Sequence, residues 1–155
     1  FQIKPFGFDA LEIVRIEAGL IMAGHEFDDT TDPFEAGIGF TVPLKSKTEN
    51  FIGKEAIVKR AEHKRHALVG LELGGNERAE HGDEVYINRS RVGVITSGTR
   101  SPLLMKSIAL CRMNIDYTEL DTVVEVGKLD GHQKRITARV VQFPFYDPER
   151  TRLRS

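Results

Sequence analysis

The chain has a single cysteine, Cys111, in 155 residues. One thiol excludes an intrachain disulfide and argues against a cysteine-based metal site. It fits a reducing compartment. No apolar run approaches the roughly 18 residues that a membrane span requires, so no membrane partner is expected. A surplus of either charge is also missing: 22 basic and 23 acidic residues give a formal net charge of -1. That balance offers no global attraction for nucleic acid or for an anionic membrane. The opening FQIKPFGFDA lacks the basic start and apolar centre of a secretion signal. With Phe1 in first place, the chain reads as a piece of a longer protein. There is no internal repeat, low-complexity stretch or nucleophile elbow. GGNERAEHG at 74–82 matches neither a P-loop nor a dinucleotide fingerprint. Cys111, between Leu110 and Arg112 in an alternating stretch, reads as a buried, inert thiol.

What is present suits one ordinary domain, or one domain with part of another. The apolar share of 40% and charged share of 29% are those of a soluble globular chain. The first half predicts helix, long loop, strand, helix. Asp9 is placed to cap a helix through Leu20, with Glu12 three residues on in the capping-box position. Leu11, Val14 and Ala18 form one stripe of it, and Gly19 is placed to end it. A loop rich in Asp and Thr follows at 26–33, and GIGFTVPL at 37–44 reads as a strand. A second helix is expected over roughly 53–63, with Lys54, Lys59 and Arg60 in solvent.

From His66 the period changes from helical to alternating. HALVGLEL, DEVYIN, RVGVITSG, SIALCRM, TVVEV and KRITARVVQF predict six short strands. Asp130 and Gly131 mark a tight hairpin turn before the last. Short strands at this spacing favour an antiparallel barrel or sandwich. The charged EHKRH at 62–66 has no apolar period and marks a boundary, dividing the chain into 1–63 and 64–155.

Three clusters compete as candidate sites. His63 and His66 are three apart, but His66 begins a strand and no third ligand follows at a recognisable distance, so no metal is expected. The run KRAEHKRH at 59–66 has no interleaved aromatics and reads as a solvated face rather than a phosphate contact. Arg15 is harder to dismiss, because it shares a helical stripe with Leu11 and Ala18. A charge there must be paired or must face a ligand, since an unpaired buried charge costs several kcal/mol. Its partner is either an acid, Glu12 or one in the following loop, or a ligand carboxylate or polar heterocycle that suits its planar fork. These residues alone leave both readings open.

The stretch RIEAGL at 15–20, GHE at 24–26 and TDPFEAGIG at 31–39 resembles the aminomethyltransferase family, typified by the glycine cleavage T-protein. FIGKEAI at 51–57, LVGLEL at 68–73, GVITSGTRSPLL at 93–104, IAL at 108–110 and FPFY at 143–146 follow in the family's order. The resemblance implies an α+β fold: the end of a ferredoxin-like α/β domain, then an antiparallel jelly-roll-like β-barrel. It implies tetrahydrofolate as cofactor and one-carbon acceptor. The lipoyl-carrying H-protein would be a partner in a true T-protein, as would the N-terminal portion of the same protein. The cytoplasm, or the mitochondrial matrix in a eukaryote, is the expected location. Arg15 maps onto the family arginine that contacts folate, and Glu17 reads as holding helix and loop together. The family's catalytic aspartate lies upstream, so no catalytic residue is expected here and the piece alone should be inactive.

Departures from the family pattern qualify this. Arg100 stands where relatives usually carry an uncharged residue, and is the second candidate contact, with a solvated role preferred. The tail DPERTRLRS lacks the tyrosine of some relatives. Folate-dependent demethylases share these motifs. A non-catalytic folate-binding assembly factor is disfavoured, because FIGKEA at 51–56 lacks that branch's cysteine. A plain β-barrel interaction module, with Arg15 in a structural ion pair, is the third alternative.

Overall fold

The computed structural model describes residues 3–44, 46, 49–129, 134–149 and 151–152. Two helices, α1 (Phe8–Glu17) and α2 (Lys54–Glu62), precede six strands. These are β1 (His66–Leu73), β2 (Glu84–Ile87), β3 (Ser90–Ser101), β4 (Lys106–Asn114), β5 (Val123–Gly127) and β6 (Arg135–Val141). The strands close into a barrel in the order β1-β4-β3-β2-β5-β6, antiparallel at every pairing. Placing β1 beside β4, after the meander β2–β3–β4, is a Greek-key arrangement. Closure leaves no free sheet edge.

All six expected strands form, because their alternation matches the pleat. Val69, Leu71 and Leu73 on β1 and Ala109, Cys111 and Met113 on β4 point into one apolar core. Val124, Val126, Ile136, Ala138 and Val140 complete it from the far side. Burial pushes the Cys111 thiol up to about 12, which keeps it protonated and unreactive. The hairpin turn expected at Asp130 and Gly131 lies outside the described residues.

Differences from expectation concentrate in the first half. Asp9 does not cap α1. Gly7 takes the extended N-cap conformation and no side chain bonds the first turn, so Asp9 sits inside the helix and faces its positive end. The helix also stops at Glu17, before Leu20. There the Leu20 N–H bonds the Arg15 carbonyl at 2.8 Å and the Gly19 N–H bonds that of Ile16, the double closure of a Schellman cap. Gly19 is left-handed with φ of 64°. A Cβ there would lie 3.0 Å from the Phe143 ring, so glycine serves both conformation and packing.

The strand expected at 37–44 is absent. The segment curls into a single 3-10 turn, Gly39–Thr41. The cause lies just upstream, where Asp32 Oδ1 accepts from the backbone N–H groups of Phe34 and Glu35 at 2.8 and 2.9 Å. Such bonds divert the backbone from a ladder into turns. Helix α2 runs close to the expected span and buries no side chain.

A second apolar cluster joins α1 to the outside of the barrel. Ile16 packs on Leu68, Ile108 and Leu110, with Ile21, Leu104, Phe143 and Phe145 around them. The expected stripe is turned differently: Leu11 and Val14 are exposed, whereas Arg15, Ile16 and Glu17 are buried. The contact with the barrel is made by the last turn of the helix, so its flank, not the Leu11–Val14 face, meets β3 and β4. Gly70 has no side chain where the Phe145 ring lies, and a Cβ there would come within 2.8 Å of it.

Candidate functional site

The seam between α1 and β3 holds a buried ionic cluster around Arg15, which is only 3% exposed. Its Nη1 donates to Glu26 Oε2 at 2.7 Å and, more weakly, to the Leu20 carbonyl at 3.4 Å. Nη2 donates to Ser97 Oγ at 2.7 Å and to Glu12, and Nε donates to Glu12 Oε2 at 3.0 Å. Ser97 Oγ in turn donates to Glu26 Oε1 at 2.5 Å, closing a ring of three residues. The Met22 N–H gives Glu26 a third bond at 2.9 Å. The fork thus has five acceptors for its five N–H groups.

Each side chain is delivered by a different device. The end of α1 aims Arg15 at β3, and the turn after it swings Glu26 back over the helix end. A register shift in β3 between Ile95 and Ser97 accompanies Ser97 facing α1. Next to this ring, Ser101 Oγ donates to Glu17 Oε1 at 2.5 Å and accepts from the Leu104 N–H at 2.9 Å. The Tyr146 N–H bonds the Glu17 carbonyl, tying the segment after β6 to the same helix end. Glu17 therefore fastens helix to barrel, where the sequence pointed to a helix–loop tie.

Glu12 is the accessible side of the cluster. Its side chain is 38% exposed while Glu26 is fully enclosed. The Arg15 hydrogen bond, reinforced by the charges of Arg15 and His25, holds the Glu12 carboxyl below its ordinary range against the opposing effect of partial burial. Since all five Arg15 N–H groups already have acceptors, an anion that binds Arg15 has to displace one of them, and Glu12 is the exposed one.

Arg15 and Arg100 are not brought together. Arg100 pairs in register with Ser107, two residues before Ala109 of the barrel core. Side chains directly opposite share a face, so Arg100 belongs to the inner side of the strand at the barrel's end. Ser97 and Ser101 lie on the outer side, under α1. Among the described residues the Arg100 guanidinium has no ion-pair partner, and Ser107 Oγ is buried without a hydrogen bond. His63 and His66 also part ways, His63 toward the Lys59 carbonyl and His66 toward Glu35.

A closed antiparallel barrel, with a helix fastened outside it by an Arg–Glu–Ser ring, is the architecture to be matched. The model of the glycine cleavage T-protein C-terminal barrel domain matches residues 66–147, and that of the GCVT N-terminal domain matches residues 1–46. The chain belongs to the glycine cleavage T-protein family. It is 58% identical over 153 residues to the trimethylamine-oxide aldolase of Ruegeria pomeroyi, covering 99% of this chain and 19% of that protein. It is 42% identical over 145 residues to the aminomethyltransferase of Listeria innocua, covering 93% of this chain and 39% of the relative. The crystal structure of the glycine cleavage system aminomethyltransferase T from Bartonella henselae superposes with a TM-score of 0.80 at 25% identity. That match covers 90% of this chain and 38% of the other. The chain thus spans a fifth to two fifths of the length of these relatives.

Proposed function

We propose that this chain is the C-terminal portion of a tetrahydrofolate-dependent enzyme that passes a one-carbon unit from an aminomethyl or methyl-type donor to the cofactor. The single observation that carries the reading is the Arg15 fork, fixed by Glu26 and Ser97 and with the half-exposed Glu12 as its one displaceable partner, on a helix that belongs to this family's pattern. A guanidinium held by a buried carboxylate and a serine is preorganised, so a ligand ordered by it need not also order the arginine. Folate carries carboxylates and a polar heterocycle, both of which suit that fork. Arg100 is a second cation, proposed to lie beyond the first contacts, on the other face of β3. The acid that does chemistry belongs to the remainder of the enzyme, so the 155 residues alone are expected to be inactive. In this reading residues 1–63 end the cofactor-binding domain and 64–155 form the barrel that closes on it.

The donor has two readings. Aminomethyltransferases at 42% identity favour an aminomethyl group presented by a lipoyl carrier protein. The 58% identity with a trimethylamine-oxide aldolase favours instead a methylamine N-oxide as source of the one-carbon unit. The test uses the full-length protein with tetrahydrofolate and each donor in turn, following methylenetetrahydrofolate. Product from the lipoyl-bound donor alone supports the first reading, and product from trimethylamine oxide alone supports the second. Absence of both product and tetrahydrofolate binding sinks the proposal.

A further inference from the structure

The run at 59–66 that reads as a solvated face acquires company on folding. Arg60 from α2, Arg65 just before β1, His66 at its start, Arg91 on β3 and Arg112 on β4 line one groove of about 490 Å³. Its one acidic lining residue is Glu35. None of its lining residues belongs to the Arg15 ring, so the groove is a separate feature from the proposed folate site.

Not all of this charge is neutralised. Arg60 meets Asp32 at 3.8 Å, Arg91 meets Glu84 at 3.0 Å, and His66 Nδ1 lies 3.4 Å from Glu35 Oε1. Arg112 is held by a neutral group, Thr31 Oγ1, at 2.9 Å. Asp28 is close enough to feel the Arg112 charge, but its Oδ1 is taken up by Thr30 and Thr31. The Arg65 guanidinium has no hydrogen bond or ion pair among the described residues. Among the described residues, two arginine forks on neighbouring stretches, Arg65 just before β1 and Arg112 on the adjacent β4, therefore lack a carboxylate of their own. The volume is within the range of small-ligand sites.

We propose that this groove binds a small polyanion carrying at least two phosphate or carboxylate groups, one taken by Arg65 and one by Arg112. Guanidinium forks match both oxyanions bidentately, and two unneutralised charges lining one groove favour a ligand that carries two. Thr31 and Asp32, in the loop that also carries Glu26, hold Arg112 and Arg60 in place before any ligand arrives.

The test is calorimetric titration of the purified full chain with tripolyphosphate and, separately, with tri-glutamate, at low and at physiological salt. Saturable binding of either anion is expected, and the one that binds names the oxyanion. Arg65→Ala and Arg112→Ala should each weaken it about tenfold, the size of one lost charge-assisted contact. Arg139→Ala, an exposed arginine paired with Asp121 on another wall of the barrel, should leave it unchanged. The proposal is overturned if neither anion binds, if Arg65→Ala binds as the parent does, or if Arg139→Ala weakens binding equally. Should Arg112→Ala not fold, the exposed Arg65 carries the test alone.

Discussion

The barrel interior and the α1 seam solve the same problem, holding two surfaces together, with opposite chemistry. The interior is apolar and closed on itself, and many residues share its stability. The seam is held by a few charged groups, each of which depends on the others: Arg15 needs Glu26, and Glu26 needs Ser97. An apolar core degrades gradually when a methyl group is removed. A buried ion pair fails at once when one partner goes, because the other is left charged and without water. The seam is therefore the more brittle region.

The widest test of that contrast is Arg15→Ala. It strands the enclosed Glu26 carboxylate and should cost about 3–5 kcal/mol in urea unfolding. Adding Glu26→Leu to Arg15→Met should recover much of the loss, whereas a seam held mainly by apolar contacts would show simple additivity. In the interior, Leu71→Ala should cost about 2–5 kcal/mol, with no partner change able to rescue it. Ser97→Ala is smaller, at about 1–3 kcal/mol, because two buried partners each lose one of several bonds.

The exposed edge of the seam should respond to pH. The Glu12 pKa is lowered in the folded chain, so its contribution is complete above its unfolded value of about 4.3 and is lost as pH falls through the lower folded value. Glu12→Gln should remove that part of the acid sensitivity in melting curves taken from pH 5 downward. An unchanged acid limb would show that Glu12 does not hold the arginine. The smallest effect belongs to the interior: Ser107→Ala removes a buried hydroxyl with no hydrogen-bond partner among the described residues and should be neutral or mildly stabilising. Measurable destabilisation would mean that Ser107 has a partner after all.

Legibility in the sequence follows range. The strands were readable because pleat alternation is a local pattern, and all six formed where it stood. Gly19 was readable as a helix end for the same reason. Asp9 misled because a capping signature does not say which residue takes the extended conformation, and Gly7 takes it. The expected strand at 37–44 failed because the Asp32 turn and the Phe34 ring set the path of that segment. Arg15 was readable as a charge that needed a partner, either a ligand or an acid, and Glu12 and the following loop were the candidate acids. Ser97 carried no signal, being 82 positions away in sequence and brought close only by the barrel.

By itself the sequence determined that short antiparallel strands, as a barrel or a sandwich, would follow a helical segment, and that one arginine in that segment must either be paired or face a ligand. Alternation and burial cost are properties of neighbouring residues, and they survive without a fold. The tertiary structure decided which flank of α1 faces the barrel, which serine closes the Arg15 ring, and that a solvated basic run joins Arg91 and Arg112 in a four-arginine groove. Those outcomes depend on the order in which strands pair around the barrel, which no local pattern encodes.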